Sequence, residues 1–171
     1  MRLFAAIDLP PATQLHLSSL AGSGIPGARW EPPANYHLTL RFVGEVARRR
    51  AEDVDLALES VRAKPFELSL AGVGTFERSG RLAALWAGVE RGEALERLQG
   101  KIEAALRRAG FEPERRRYQP HVTLARLDHA PPERVGAFVQ RHNLFRADPF
   151  RVEAFALFSS HPGRGHAEYV A

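Results

Sequence analysis

Apolar residues recur along this chain with two periods, near two in some stretches and near 3.6 in others, and the stretches take turns. Residues 2–9, RLFAAIDL, place Leu3, Ala5, Ile7 and Leu9 on one side and predict a strand. Pro10 and Pro11 end it, and Pro11 suits the first turn of a helix over 11–21. Residues 22–34 are rich in Gly, Pro and Ala and predict a loop, with a short strand near Trp30. Residues 37–43, HLTLRFV, alternate cleanly: His37, Thr39, Arg41 and Val43 share one face, Leu38, Leu40 and Phe42 the other, core-facing one. Val54, Ala57, Leu58 and Val61 predict a helix over 46–62. Strands over 66–73 and 81–89, joined by a glycine-containing loop, predict a hairpin. Leu95, Leu98, Ile102, Ala105 and Leu106 stripe a helix over 92–109, with Gly110 at its C-cap. A strand over 119–126, a helix over 132–142, a strand over 150–158 and a last strand in the tail HAEYVA complete the prediction.

This order repeats itself. Each half runs strand, helix, strand, helix, strand, and the leading strands RLFAAI and RLAALW are alike. The expected architecture is α+β: a single bilobal domain over 1–171, an internal duplication of about 1–75 and 80–160, and two lobes related by a pseudo-two-fold axis. Mostly antiparallel sheets would flank a central cleft with helices outside, and strands could interleave between the lobes.

Composition narrows the partners. The 171 residues include no cysteine, which excludes a disulfide scaffold, a thiol nucleophile and a thiolate metal site. The net charge is +4, and the basic residues are arginines apart from Lys64 and Lys101. Arginine presents a planar fork suited to phosphate, so a nucleotide or RNA partner fits. No leader peptide or membrane-length apolar run is visible, and a soluble, cytoplasmic protein is expected.

The chemistry lies in two tetrapeptides, His37-Leu38-Thr39-Leu40 and His121-Val122-Thr123-Leu124, which fall in matching strands of the repeat. Period two sets each imidazole beside its hydroxyl on one sheet face. Two imidazoles near neutral pH can serve as acid and base on opposite sides of one phosphorus. The hydroxyls can donate to phosphoryl oxygens. Such an in-line displacement needs no metal, and a strained cyclic phosphodiester suits it.

These motifs, with RLFAAIDLP, RWEPPANYHLTLRFVGEV, ELSLAGVGTF, LWAGV, QPHVTLAR and FALFSSH, resemble the 2H phosphoesterase superfamily, most of all its RNA 2′,3′-cyclic phosphodiesterases, also described as 2′-5′ RNA ligases. The resemblance implies metal- and cofactor-independent hydrolysis of RNA 2′,3′-cyclic phosphate ends to 2′-phosphomonoesters. It implies His37 as proton donor to the leaving 3′ oxygen, His121 as the acceptor activating water, and Thr39 and Thr123 as phosphate-binding hydroxyls. Arg126 matches the arginine that often follows the second motif. Strict alternation sets Arg126 on the face opposite His121, so it reaches the cleft only where the strand ends or bulges near Ala125. The alternatives are reversible 2′-5′ ligation, a small cyclic-nucleotide phosphodiesterase, and a non-catalytic RNA-end binder. Each chain supplies both motifs, so a monomer is expected. The runs Arg48–Arg50 and Arg115–Arg117 read first as solvated faces, and second as phosphate contacts.

Overall fold

The computed structural model describes residues 1–22, 24–162 and 167–170, with backbone only for 161, 162 and 167–170. The elements are β1 (Arg2–Asp8), α1 (Pro11–Ser18), β2 (Ala28–Trp30), β3 (His37–Glu45), α2 (Arg48–Glu59), β4 (Phe66–Leu68), β5 (Leu70–Arg78), β6 (Arg81–Val89), α3 (Glu93–Arg108), β7 (His121–Leu127), α4 (Pro132–His142), β8 (Phe150–Val152), β9 (Ala156–Pro162) and β10 (Ala167–Val170). A single 3₁₀ turn, Pro33–Asn35, leads into β3.

Two four-stranded antiparallel sheets organise the chain, in the orders β10-β9-β1-β3 and β2-β7-β6-β5, beside a β4-β8 ribbon. This is the α+β, two-lobed fold expected from the alternation of periods. Strands cross between the halves: β2 joins the second sheet, and β9 and β10 return to the first. The rear faces share one core, in which Leu3, Ala5, Ile7, Leu38 and Leu40 of the first sheet meet Leu85, Ala87, Val122 and Leu124 of the second. Helix α3 closes this core with Leu95, Leu98, Ile102 and Leu106, all buried. Burial of such a side chain stabilises by about 1.5–3 kcal/mol, so this helix is held by packing more than by propensity. Strands β3 and β7 pack against each other, bringing the two sheets together at the strands that carry the paired motifs.

Two predicted elements need correction. The hairpin strand lies over Leu70–Arg78 rather than 66–73, and 66–68 pairs separately with β8. Its turn is Ser79–Gly80, both at positive φ (53° and 76°), the geometry a tight two-residue hairpin requires. The glycines of β5 suggested a loop, yet Gly74 is bare because the Trp86 indole lies over it: a Cβ there would sit 2.4 Å from the ring. The predicted strand 150–158 is two strands, because 150–152 joins β4 while 156–162 crosses to β1. In the tail, β10 covers Ala167–Val170, and His166 and Ala171 lie outside the described residues.

Candidate active site

The front faces of the two sheets carry the paired motifs. On the first, Asp8 pairs with His37 and Ala6 with Thr39 across the β1–β3 ladder. On the second, Gly88 pairs with His121 and Trp86 with Thr123 across β6–β7. All four motif side chains are half-buried, while Leu38, Leu40, Val122 and Leu124 are buried behind them.

Both imidazoles are held in the same way. The Nδ1 of His37 lies 2.7 Å from the carbonyl oxygen of Asn35, and that of His121 lies 2.7 Å from the carbonyl oxygen of Gln119. A carbonyl only accepts, so Nδ1–H donates in each and Nε2 is the nitrogen that exchanges a proton. Each ring also rests on aromatic side chains from neighbouring strands. His37 lies 4.9 Å from Phe4, ring centre to ring centre, and Phe4 is stacked on Phe158 at 5.4 Å. His121 meets the Phe76 ring edge-on at 4.6 Å, with Trp86 at 6.3 Å. These seats desolvate the imidazoles, and both pKa values are pushed below the ordinary 6.5 by burial. The carbonyl bonds oppose the fall in each. At His37 the Asp8 carboxylate opposes it too, while the charges of His121 and Arg126 add to it. The titration of His37 therefore depends on groups from both sheets.

A matched irregularity follows each motif. Ala6 pairs with Thr39 and Ala5 with Arg41, which leaves Leu40 as an extra residue. Trp86 pairs with Thr123 and Leu85 with Ala125, which leaves Leu124 as its counterpart. A bulge reverses the facing of the residues that follow it, up to any further bulge. Arg126 therefore pairs with Ala84 and shares the front face with Thr123, since Ala84 and Trp86 are two apart on β6. Its Nε lies 3.5 Å from Oε1 of Glu31, a carboxylate 9% exposed whose Oε2 has no hydrogen-bond partner among the described residues. Strict alternation placed Arg126 on the opposite face, and the bulge is what overrides it.

The same slip corrects two further expectations on β3. Phe42 was expected in the core, but it lies on the front face opposite Phe4 and is 57% exposed. Arg41 was expected beside His37, but it turns inward and is 7% exposed. There its Nε donates to Glu103 at 2.6 Å, and its other nitrogens donate to the carbonyls of Phe42 and Glu112. Phe42 and Arg126 thus occupy equivalent positions on the two walls, one aromatic and one cationic. Asp8, Glu31 and Phe42 were missed as site residues. The signal for Asp8 was its charge at the end of an apolar strand, and for Phe42 the five-residue spacing that it shares with Arg126.

Among the described residues, no three His, Asp or Glu side chains cluster as a metal site would need, and no helix is long and apolar enough to cross a membrane. The paired half-buried imidazoles, hydroxyls and flanking arginine form a site suited to acid–base chemistry on an anion.

The 2′-5′ RNA ligase superfamily matches this chain over residues 10–164, and the chain belongs to that superfamily. Among its relatives, an Archaeoglobus fulgidus protein named RNA 2′,3′-cyclic phosphodiesterase is 30% identical over 162 residues, 94% of this chain and 91% of the relative. An Aeropyrum pernix protein of the same name is 40% identical over 113 residues, 66% of this chain and 64% of the relative. The crystal structure of E. coli LigT complexed with 3′-AMP superposes with a TM-score of 0.77 at 26% identity, covering 99% of this chain and 93% of that one.

Proposed function

We propose that this protein is an RNA 2′,3′-cyclic phosphodiesterase that opens the cyclic phosphate to a 2′-phosphomonoester by two-histidine acid–base catalysis. The observation that carries the mechanism is the matched Nδ1–carbonyl bond, which turns Nε2 of both His37 and His121 into the working nitrogen. In the proposed step, His121 Nε2 takes a proton from water as the water oxygen bonds to phosphorus. The P–O3′ bond breaks, and the leaving oxygen takes the proton of His37 Nε2. Water ends as a hydroxyl on the phosphate and the ribose regains its 3′-OH, so atoms and protons balance. The Thr39 and Thr123 hydroxyls and the Arg126 guanidinium hold the nonbridging oxygens as charge develops. Phe42 offers an exposed aromatic face to the terminal base.

The supports are family membership, the names of the relatives, and the 3′-AMP that accompanies LigT. Both histidines come from one chain, so the reading takes the catalyst as a monomer. Mixing His37→Ala and His121→Ala variants should restore no activity; rescue would show a shared site. The principal test is incubation of a short RNA ending in 2′,3′-cyclic phosphate, with and without EDTA. The expected result is a 2′-phosphate product at the same rate in both. A 3′-phosphate product or chelator-sensitive turnover would overturn the reading. A 5′-hydroxyl can take the place of water in the same displacement, its oxygen bonding to phosphorus as the P–O3′ bond breaks, so the same assay with a 5′-hydroxyl acceptor RNA measures any 2′-5′ joining.

A further inference from the structure

A groove of about 590 Å³ lies between the start of α2 and the segment following α3, lined among others by Phe42, Arg49, Arg50, Phe111, Glu112 and Glu114. It adjoins the front face through Phe42, the same aromatic that stands across from Phe4. The fold sets both arginine runs beside it, although they are far apart in sequence. Arg48–Arg50 form the first turn of α2, which holds no acidic residue. Three cations there oppose the helix dipole instead of complementing it, an arrangement that an anionic partner would relieve. On the other side the chain passes directly from Glu114 into Arg115–Arg117, all exposed.

Two of these six arginines are committed to internal partners and four are not. Arg50 is fixed: its guanidinium lies 4.3 Å over the Phe111 ring and donates to the Ala109 carbonyl. Arg116 lies 3.7 Å from Glu114, and Glu45 is occupied by the terminal amine of Met1 at 3.0 Å. The side chains of Arg48, Arg49, Arg115 and Arg117 make no ion pair or hydrogen bond with any described residue. Of these four, Arg49 lines the groove, Arg48 precedes it on the same helical turn, and Arg115 and Arg117 follow the lining residue Glu114 along the chain; Phe42 adds an exposed ring, while the Phe111 face is covered by Arg50. Arginines flanking an exposed aromatic ring suit a single nucleic-acid strand.

We propose that this groove carries the RNA strand on the 5′ side of the reacting nucleotide, so that the protein acts on RNA ends in preference to small cyclic nucleotides. The proposal rests on the phosphodiesterase reading and names its substrate class. The strand leaves the cleft past Phe42 and runs between the two arginine runs, its phosphates meeting Arg48 and Arg49 on one side and Arg115 and Arg117 on the other.

The test compares the wild type with Arg48→Glu/Arg49→Glu and Arg115→Glu/Arg117→Glu. The substrates are a 2′,3′-cyclic mononucleotide and a ten-nucleotide RNA ending in the same cyclic nucleotide, at several salt concentrations. Wild-type kcat/KM should be at least about tenfold higher on the ten-mer, and each double variant should lose most of that advantage. Mononucleotide turnover should stay within about twofold, which also reports an intact fold. Each variant should flatten the plot of log affinity against log salt by about 1.4, because each single-strand phosphate left without its arginine accounts for about 0.7. Undiminished ten-mer turnover in both variants, or an equal loss on both substrates, would overturn the groove. Anisotropy binding of a ten-mer with a plain 3′-hydroxyl separates the two readings. Weakened binding in the variants, with no hydrolysis by the wild type, would refute the phosphodiesterase reading alone. Unchanged binding would refute the groove whatever the enzyme hydrolyses.

Discussion

Asp8 stands directly across the β1–β3 ladder from His37, and its carboxylate holds that imidazole's pKa up against burial and the positive charge of Arg126. This relationship shapes the pH behaviour of the site. In the proposed mechanism His121 as base must be neutral and His37 as acid must be charged, so kcat/KM should rise and fall with pH on two imidazole values. Burial lowers both, so the optimum should shift to the acid side of that for an ordinary imidazole pair. Asp8→Asn removes a charge that favours imidazolium, and the limb that His37 sets should move to lower pH. Arg126→Ala removes a charge that disfavours it, and the limb should move up. Limbs that stay fixed in both variants would show that His37 is not the titrating acid.

Arg126 and Glu31 should behave as a coupled pair. Arg126→Ala should lower turnover by about 10²–10³, the usual cost of removing one donor that stabilises developing charge. Glu31→Gln removes the carboxylate 3.5 Å from that guanidinium and should lower kcat/KM several-fold. In the Arg126→Ala background it should have no further effect. Additive losses in the double-variant cycle would mean that Glu31 acts independently of Arg126.

Phe42→Ala should leave thermal stability unchanged, because the ring is mostly exposed. It should weaken substrate binding by about 1–3 kcal/mol, the range for one base–aromatic stack, and Phe42→Trp should restore it. A substrate with an abasic terminal ribose should be insensitive to the substitution. Equal sensitivity of both substrates would place the base elsewhere.

Arg41 and Glu103 answer to stability. Arg41 is 6% and Glu103 14% exposed at the side chain, and their 2.6 Å contact also engages Arg107 and the Glu114 amide. Glu103→Ala strands a buried guanidinium and should cost about 3–5 kcal/mol in urea unfolding. The apolar pair Arg41→Met/Glu103→Leu should recover most of that loss.

Much of this molecule could be read from its sequence. Helix α4 falls over 132–142 as its periodicity predicts, and His37, Thr39, His121 and Thr123 share front faces because period two requires it. The features that escaped depend on single-residue slips. Leu40 and Leu124 look like ordinary apolar strand positions, yet each is an extra residue that reverses the facing of the residues next after it. Phe42 and Arg126 therefore came forward while Arg41 went inward, and no alternation pattern encodes that. The strand over 70–78 was hidden because Gly72 sits at positive φ where the β5–β6 register breaks and Gly74 lies under the Trp86 indole, features set by the partner strand. The matched bulges add support to the proposal that segments 1–75 and 80–160 descend from one duplicated unit.

The most direct test measures cleavage of a short RNA 2′,3′-cyclic phosphate by the wild type, His37→Ala and His121→Ala, with circular dichroism to confirm folding. Each substitution removes one member of the proposed proton relay and should cut turnover by about 10²–10⁴, with the double variant little worse than either single one. Wild-type turnover in either folded variant would contradict the two-histidine mechanism.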